Sequence, residues 1–249
     1  YALRSMGLRL KKLAVWPERD RVAWVKLTLG FEELFDTLRS LYLKYLEGLG
    51  VKGPEPEIRP SIIGEFWEDY QTFLKEFNEG VLERFGEDSV EEVLPELYSI
   101  RLSYYKEALE LARLYLQLMQ KFFPKFIEVE PSPLRLSIVC CQAKFPFFEC
   151  WRILQDSKED LHISLIGHGE LKVSAKGIQG MLSFTEGNYR KSALYNLAQV
   201  ARISEELARF RFQDRSEEAD YQTYRLIRES LPLGMDFRSI LTFAKILGE

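Results

Sequence analysis

Apolar and polar positions first fall into a regular pattern at Arg21-Val-Ala-Trp-Val-Lys-Leu-Thr-Leu29. That run is dense in β-branched and aromatic residues and closed by Gly30, which predicts a strand. The period then changes. Phe31, Leu34, Phe35, Leu38, Leu41, Tyr42 and Tyr45 recur at three- and four-residue spacing, with acids early (Glu32, Glu33, Asp36) and bases late (Arg39, Lys44), so a helix follows. Gly48, Gly50, Gly53 and the prolines at 54, 56 and 60 break the pattern into a loop. Ser61 is placed to cap a second helix running to about residue 85, with a stripe of Phe66, Tyr70, Phe73, Leu74 and Phe77.

An acidic stretch precedes Leu97-Tyr-Ser-Ile-Arg-Leu102, which reads as one short strand, and residues 104–123 read as a long helix ended at Pro124. Leu134-Arg-Leu-Ser-Ile-Val-Cys-Cys141 is almost wholly apolar at its centre, as expected of a strand covered on both faces. Pro146 suits the first turn of a helix beginning with Phe147 and Phe148. Residues 160–167 alternate as a strand, and Gly167 and Gly169 turn the chain into a partner at 170–174. From Ile178 onward the pattern is helical, in segments 192–212, 217–231 and 237–247.

This order predicts an α+β protein, with helices against a small sheet near residues 20–175 and a helical domain after it. A doubly wound nucleotide fold is disfavoured. No G-x-G-x-x-G follows the first strand, and no G-x-x-x-x-G-K-[ST] occurs anywhere.

Composition narrows the class. The 249 residues, 46% hydrophobic and 29% charged, suffice for a substantial core. No run of eighteen uncharged apolar residues is present, so no membrane partner is expected. Tyr1-Ala2-Leu3-Arg4 lacks an initiator Met, which reads as a piece of a longer polypeptide. A net charge of -4 means that any nucleic acid must meet a local patch. Three cysteines, which cannot all pair with one another, point to a reducing, cytoplasmic setting. Cys140 and Cys141 are neighbours in a strand and face opposite ways, and Cys150 lies in the following helix. Without a Cys-x-x-Cys, a zinc site is disfavoured against buried core sulfur. His162 and His168 lack a motif that supplies a nucleophile and an orienting acid, so they read as filler rather than bases.

Particular stretches resemble the C-terminal part of the polymerase-like large subunit of type III CRISPR effector complexes, the Csm and Cmr assemblies. "RVAWVKLTLGFEELFDTLRSLYLKYL" is similar to the strand and helix that open that family's palm. "RPSIIGEFWEDYQTFLKEFNEGVLERF" and "YYKEALELARLYLQLMQKFF" are similar to its next two helices, and "LRLSIVCCQAKFPFFECWRIL" to its strand running into a helix. "DLHISLIGHGELKVS" is similar to its closing strand and turn, and "KSALYNLAQVARISEEL" to the start of its helical bundle. The resemblance implies a connecting segment over 1–20, a ferredoxin-like palm over 21–176 and an all-α C-terminal domain over 177–249. It implies a second palm, small helical subunits and guide RNA paired to its target as partners.

The departures are at the chemistry. Active palms of the family carry aspartates at the end of the first strand and a Gly-Gly-Asp-Asp turn, because two divalent ions need carboxylates. Here that strand ends in Leu27-Thr28-Leu29, and the turn's place is taken by "EDSVEEVLPELYSIRLS". Its Glu87, Asp88, Glu91, Glu92 and Glu96 read as a solvated helix start. The expectation is therefore a degenerate palm with no catalytic residue, no metal and no cofactor. For RNA, the candidate contacts are Arg190, Lys191, Arg202, Arg209, Arg211 and Arg215, a basic bias in an acidic chain. Glu205, Glu206, Glu217 and Glu218 are close enough in sequence to neutralise much of it. Tyr189, Phe210 and Phe212 could stack on bases, although their helical spacing suits a core. The alternatives are a metal-dependent nucleotidyl transferase or cyclase completed by other parts of the protein, and a helical interaction module without nucleic acid.

Overall fold

The computed structural model describes residues 20–50, 58–185 and 237–248. Its centre is a six-stranded mixed sheet. The strands are β1 (Arg21–Leu29), β2 (Val90–Leu94), β3 (Leu97–Leu102), β4 (Leu134–Gln142), β5 (Leu161–Leu165) and β6 (Gly169–Val173). They lie in the order β2-β3-β1-β4-β5-β6. β1 runs antiparallel to β3 and β4, β4 parallel to β5, and β2–β3 and β5–β6 are antiparallel hairpins. The helices are α1 (Phe31–Gly48), α2 (Pro60–Phe85), α3 (Ala108–Phe122), α4 (Phe147–Asp156), α5 (Ala175–Thr185) and α6 (Phe237–Gly248). The architecture is α+β.

β1 explains why the sheet is layered on both sides. Ala23, Val25 and Leu27 point into the larger core with α2 and α3, while Val22 and Trp24 point the other way, into a smaller cluster under α4. α2 supplies the stripe Phe66, Tyr70, Phe73, Leu74 and Phe77 that its spacing predicts, and all five are buried. α4 docks on the opposite face through Phe147, whose ring centroid lies 4.4 Å from that of Trp24. It also provides the crossover that the parallel β4–β5 pair requires.

α5 and α6 add Ile178, Met181, Leu182, Phe243, Ile246 and Leu247 to the larger core. The Lys172 amide donates to Ser239 Oγ at 3.1 Å, tying α6 to β6. Gly169 has φ +129, and a Cβ built there would stand 2.5 Å from Thr242 Oγ1, so only glycine admits this approach.

Two expectations are corrected. The acidic run is no helix start: after a 3-10 turn at Glu87–Ser89 it is the edge strand β2, which buries Val93 and turns its glutamates outward. Charges on an edge strand discourage further strand pairing, which a helical reading of the same acids overlooks. Ser61 does not cap α2. Arg59 holds that position without a side-chain bond, and Pro60, whose fixed φ is already helical, opens the first turn.

Candidate functional site

The resemblance to the palm family directs attention to the C-terminal end of β1 beside the β2–β3 turn. Lys26 pairs with Leu97, and the Leu27 amide donates to the Glu96 carbonyl at 2.9 Å, which holds Pro95-Glu96 against the strand end. Thr28 and Leu29 bring no carboxylate there. Glu96 is occupied: its Oε1 accepts from the Tyr70 hydroxyl at 2.6 Å. Burial first, then that carboxylate, push the Tyr70 hydroxyl far above its ordinary range, so it stays a donor. Glu92 Oε2 accepts from Asn78 Nδ2 at 3.0 Å.

On the strand itself stands a cation. Lys26 Nζ lies 5.1 Å from the centroid of Trp151, and burial lowers its pKa while Glu96 opposes the shift. Among the described residues, no group of three or more His, Cys, Asp or Glu is arranged to hold a metal ion.

Arg190, Lys191, Arg202, Arg209, Arg211 and Arg215 lie outside the described residues, as do Tyr189, Phe210 and Phe212. The cysteines are described, are buried and form no disulfide with one another. Cys140 and Cys141 face opposite sides of β4. Cys141 Sγ lies 3.7 Å from Cys150 Sγ, a strand-to-helix contact that sequence spacing does not reveal. The hydrogen bond between these thiols, with burial behind it, pushes the Cys150 thiol far up, which makes it an inert group rather than a nucleophile.

His162 is buried on β5, and neither ring nitrogen makes a hydrogen bond. Its Nε2 is 3.7 Å from Glu170 Oε2, beyond hydrogen-bond distance, and burial lowers its pKa so that it is held neutral.

At the opposite end of the sheet, where β1 starts and β3 and β4 finish, two hollows adjoin. The larger, about 660 Å³, is lined by Arg21, Arg101, Ser89, Ser103 and Asp20 among others. The smaller, about 410 Å³, is lined by Phe145, Pro146, Ile166 and Lys144 among others, and the two share Tyr105, Gln142 and His168. The Arg21 guanidinium lies over the Tyr105 ring, 5.1 Å from its centroid, and its Nη1 donates to the Ser103 carbonyl at 2.7 Å. Arg101 Nε stands 2.7 Å from Asp20 Oδ2 without the alignment of a hydrogen bond. Residues far apart in sequence meet here because β3 returns antiparallel to β1, setting Arg21 opposite Leu102 and Val22 opposite Arg101. The available sequence signal is faint: an arginine at the first position of one strand and another at the fifth of its partner.

No protein-family model, curated protein or solved structure matches this chain. Among the described residues, no helix is long and apolar enough to cross a membrane.

Proposed function

We propose that the chain is a non-catalytic, architectural part of the large subunit of a type III CRISPR effector complex. In this role it packs on a second palm, with its C-terminal helical domain meeting small helical subunits and guide RNA paired to target, in antiviral defence. The observation that carries the reading is topological. Over β1 to β4 the chain runs strand, two helices, strand, strand, helix, strand, in the sheet order β2-β3-β1-β4, which supports a ferredoxin-like palm carrying one additional helix between its first two strands. In that frame β5 and β6 extend the palm at the β4 edge.

Chemistry supports the non-catalytic half of the reading. At the β1 end and the β2–β3 turn, where two cations would need oxygen ligands, the chain presents Lys26 over Trp151, and Glu96 engaged by Tyr70. Exposed apolar residues on α1 and at its C-cap, Phe31, Phe35, Tyr45 and Leu49, are the kind of surface that a partner domain covers.

Co-expression with the small subunit, a second palm and guide RNA tests the proposal. The chain is expected to co-purify stoichiometrically and to yield no oligoadenylate from ATP with Mg²⁺ or Mn²⁺ when alone. Failure to associate, or oligoadenylate synthesis by the chain by itself, overturns it. Reversing Arg209 and Arg211 to Glu is expected to remove a salt-dependent affinity for a guide-target duplex.

A further inference from the structure

The paired hollows at the β1 start have two chemically different halves. Around Arg21 and Arg101 the walls are polar, with Ser89 and Ser103 also in the lining. Around Phe145, Pro146 and Ile166 they are apolar, with Lys144 at the rim. Tyr105, Gln142 and His168 belong to both.

Two carboxylates stand near the polar half. Asp20 lies against Arg101, and Glu107 accepts the Ser103 amide at 2.8 Å. Among the described residues, the larger hollow is thus lined by two arginines and one carboxylate, and the smaller adds a lysine and no carboxylate. Arginine's planar fork suits phosphate oxygens, and each hollow is within the size range of clefts that hold a small organic molecule.

We infer that this cleft binds a nucleoside phosphate, either free or as the end of a single strand. The phosphate sits by Arg21 and Arg101, and the base lies against Tyr105 and Phe145. Gln142, at the waist and able both to donate and to accept, meets the edge of the base or sugar. Arg21 already lies over the Tyr105 ring, and Tyr105 lines both halves. The β1 end that faces the β2–β3 turn lies at the other end of the strand. The assignment therefore stands apart from the proposed role in an effector complex.

Isothermal titration of the full chain with AMP, ATP, adenosine, inorganic phosphate and a six-nucleotide single strand tests it. AMP, ATP or the strand is expected to bind more tightly than either adenosine or phosphate, since only they fill both halves. Affinity is expected to fall with added salt. A strand that binds while AMP and ATP do not identifies the strand end as the ligand; the reverse result identifies the free nucleotide.

Arg101→Gln is expected to weaken binding about tenfold, the size of one charge-assisted bond. Lys144→Ala and His168→Ala change exposed residues, leave thermal melting unchanged, and together are expected to weaken binding several-fold. Absence of millimolar binding by all three nucleotide probes overturns the assignment. So does phosphate binding as tightly as AMP, or affinity indifferent to both Arg101→Gln and the Lys144/His168 double change.

Discussion

Asp160 joins three separate pieces of chain, and its removal is expected to be costly. It is 3% exposed, and its Oδ1 accepts the Ser132 amide and its Oδ2 the Ala175 amide, each at 2.8 Å. The first donor lies just ahead of β4 and the second opens α5, so one carboxylate fixes both to the start of β5. In Asp160→Ala both buried amides lose their acceptor. At about 1–3 kcal/mol for each unsatisfied donor, the loss is about 2–6 kcal/mol, a large share of the roughly 5–15 kcal/mol of a typical domain. Asp160→Asn keeps one acceptor and presents an NH₂ to the other amide, so about half of that loss is expected. Urea unfolding followed by far-UV circular dichroism measures both, as a lower midpoint at unchanged slope.

The pH dependence sharpens the test. Burial raises the Asp160 pKa, against the pull of the Ala175 and Ser132 amides and of Arg135. The folded protein then holds this proton more tightly than the unfolded chain does. Its contribution to stability grows as pH falls through the raised pKa and levels off below the ordinary carboxylate range near 3.9. The advantage of wild type over Asp160→Asn should therefore widen on acidification. A loss below about 1 kcal/mol in Asp160→Ala, or an advantage that narrows on acidification, refutes the reasoning.

Two further outcomes follow from close contacts. Gly169→Ala should cost about 1–3 kcal/mol from the positive φ alone, and more from the encounter with Thr242. The double change with Thr242→Ala should recover only the second part, read as a non-additive double-mutant cycle in urea. Cys141 and Cys150 should resist a thiol reagent in the native protein and react once urea unfolds it, while Cys150→Ala, emptying a site that is 0% exposed, should cost about 1 kcal/mol. Rapid native labelling of either thiol would contradict the buried pairing.

The central elements are legible in the sequence because their burial is symmetrical. β4 reads as a strand from its apolar centre, and both of its faces are covered. α2 and α3 read as helices because one stripe of each is apolar. β2 is hidden because an edge strand needs few apolar contacts: Val93 alone is buried, Val90 is partly buried, and two glutamates stand between them. The candidate site was legible only as a lack, namely the carboxylate-free end of β1. The Lys26–Trp151 contact and the Tyr70–Glu96 bond join residues from different elements, and no local spacing reports such pairs. The arginine cleft is hidden for the same reason: antiparallel pairing, rather than sequence proximity, brings its two cations to the same end of the sheet.

Among the described strands β1 is synthesised first, and in the finished sheet it lies between β3 and β4. Both neighbours are synthesised after it, the second finishing at Gln142, so nascent β1 waits with its valines and tryptophan unsheltered until residue 142 has emerged. During that interval the growing chain is a natural client for a holding chaperone, and slowing translation between residues 30 and 134 should raise the yield lost to aggregation rather than improve it.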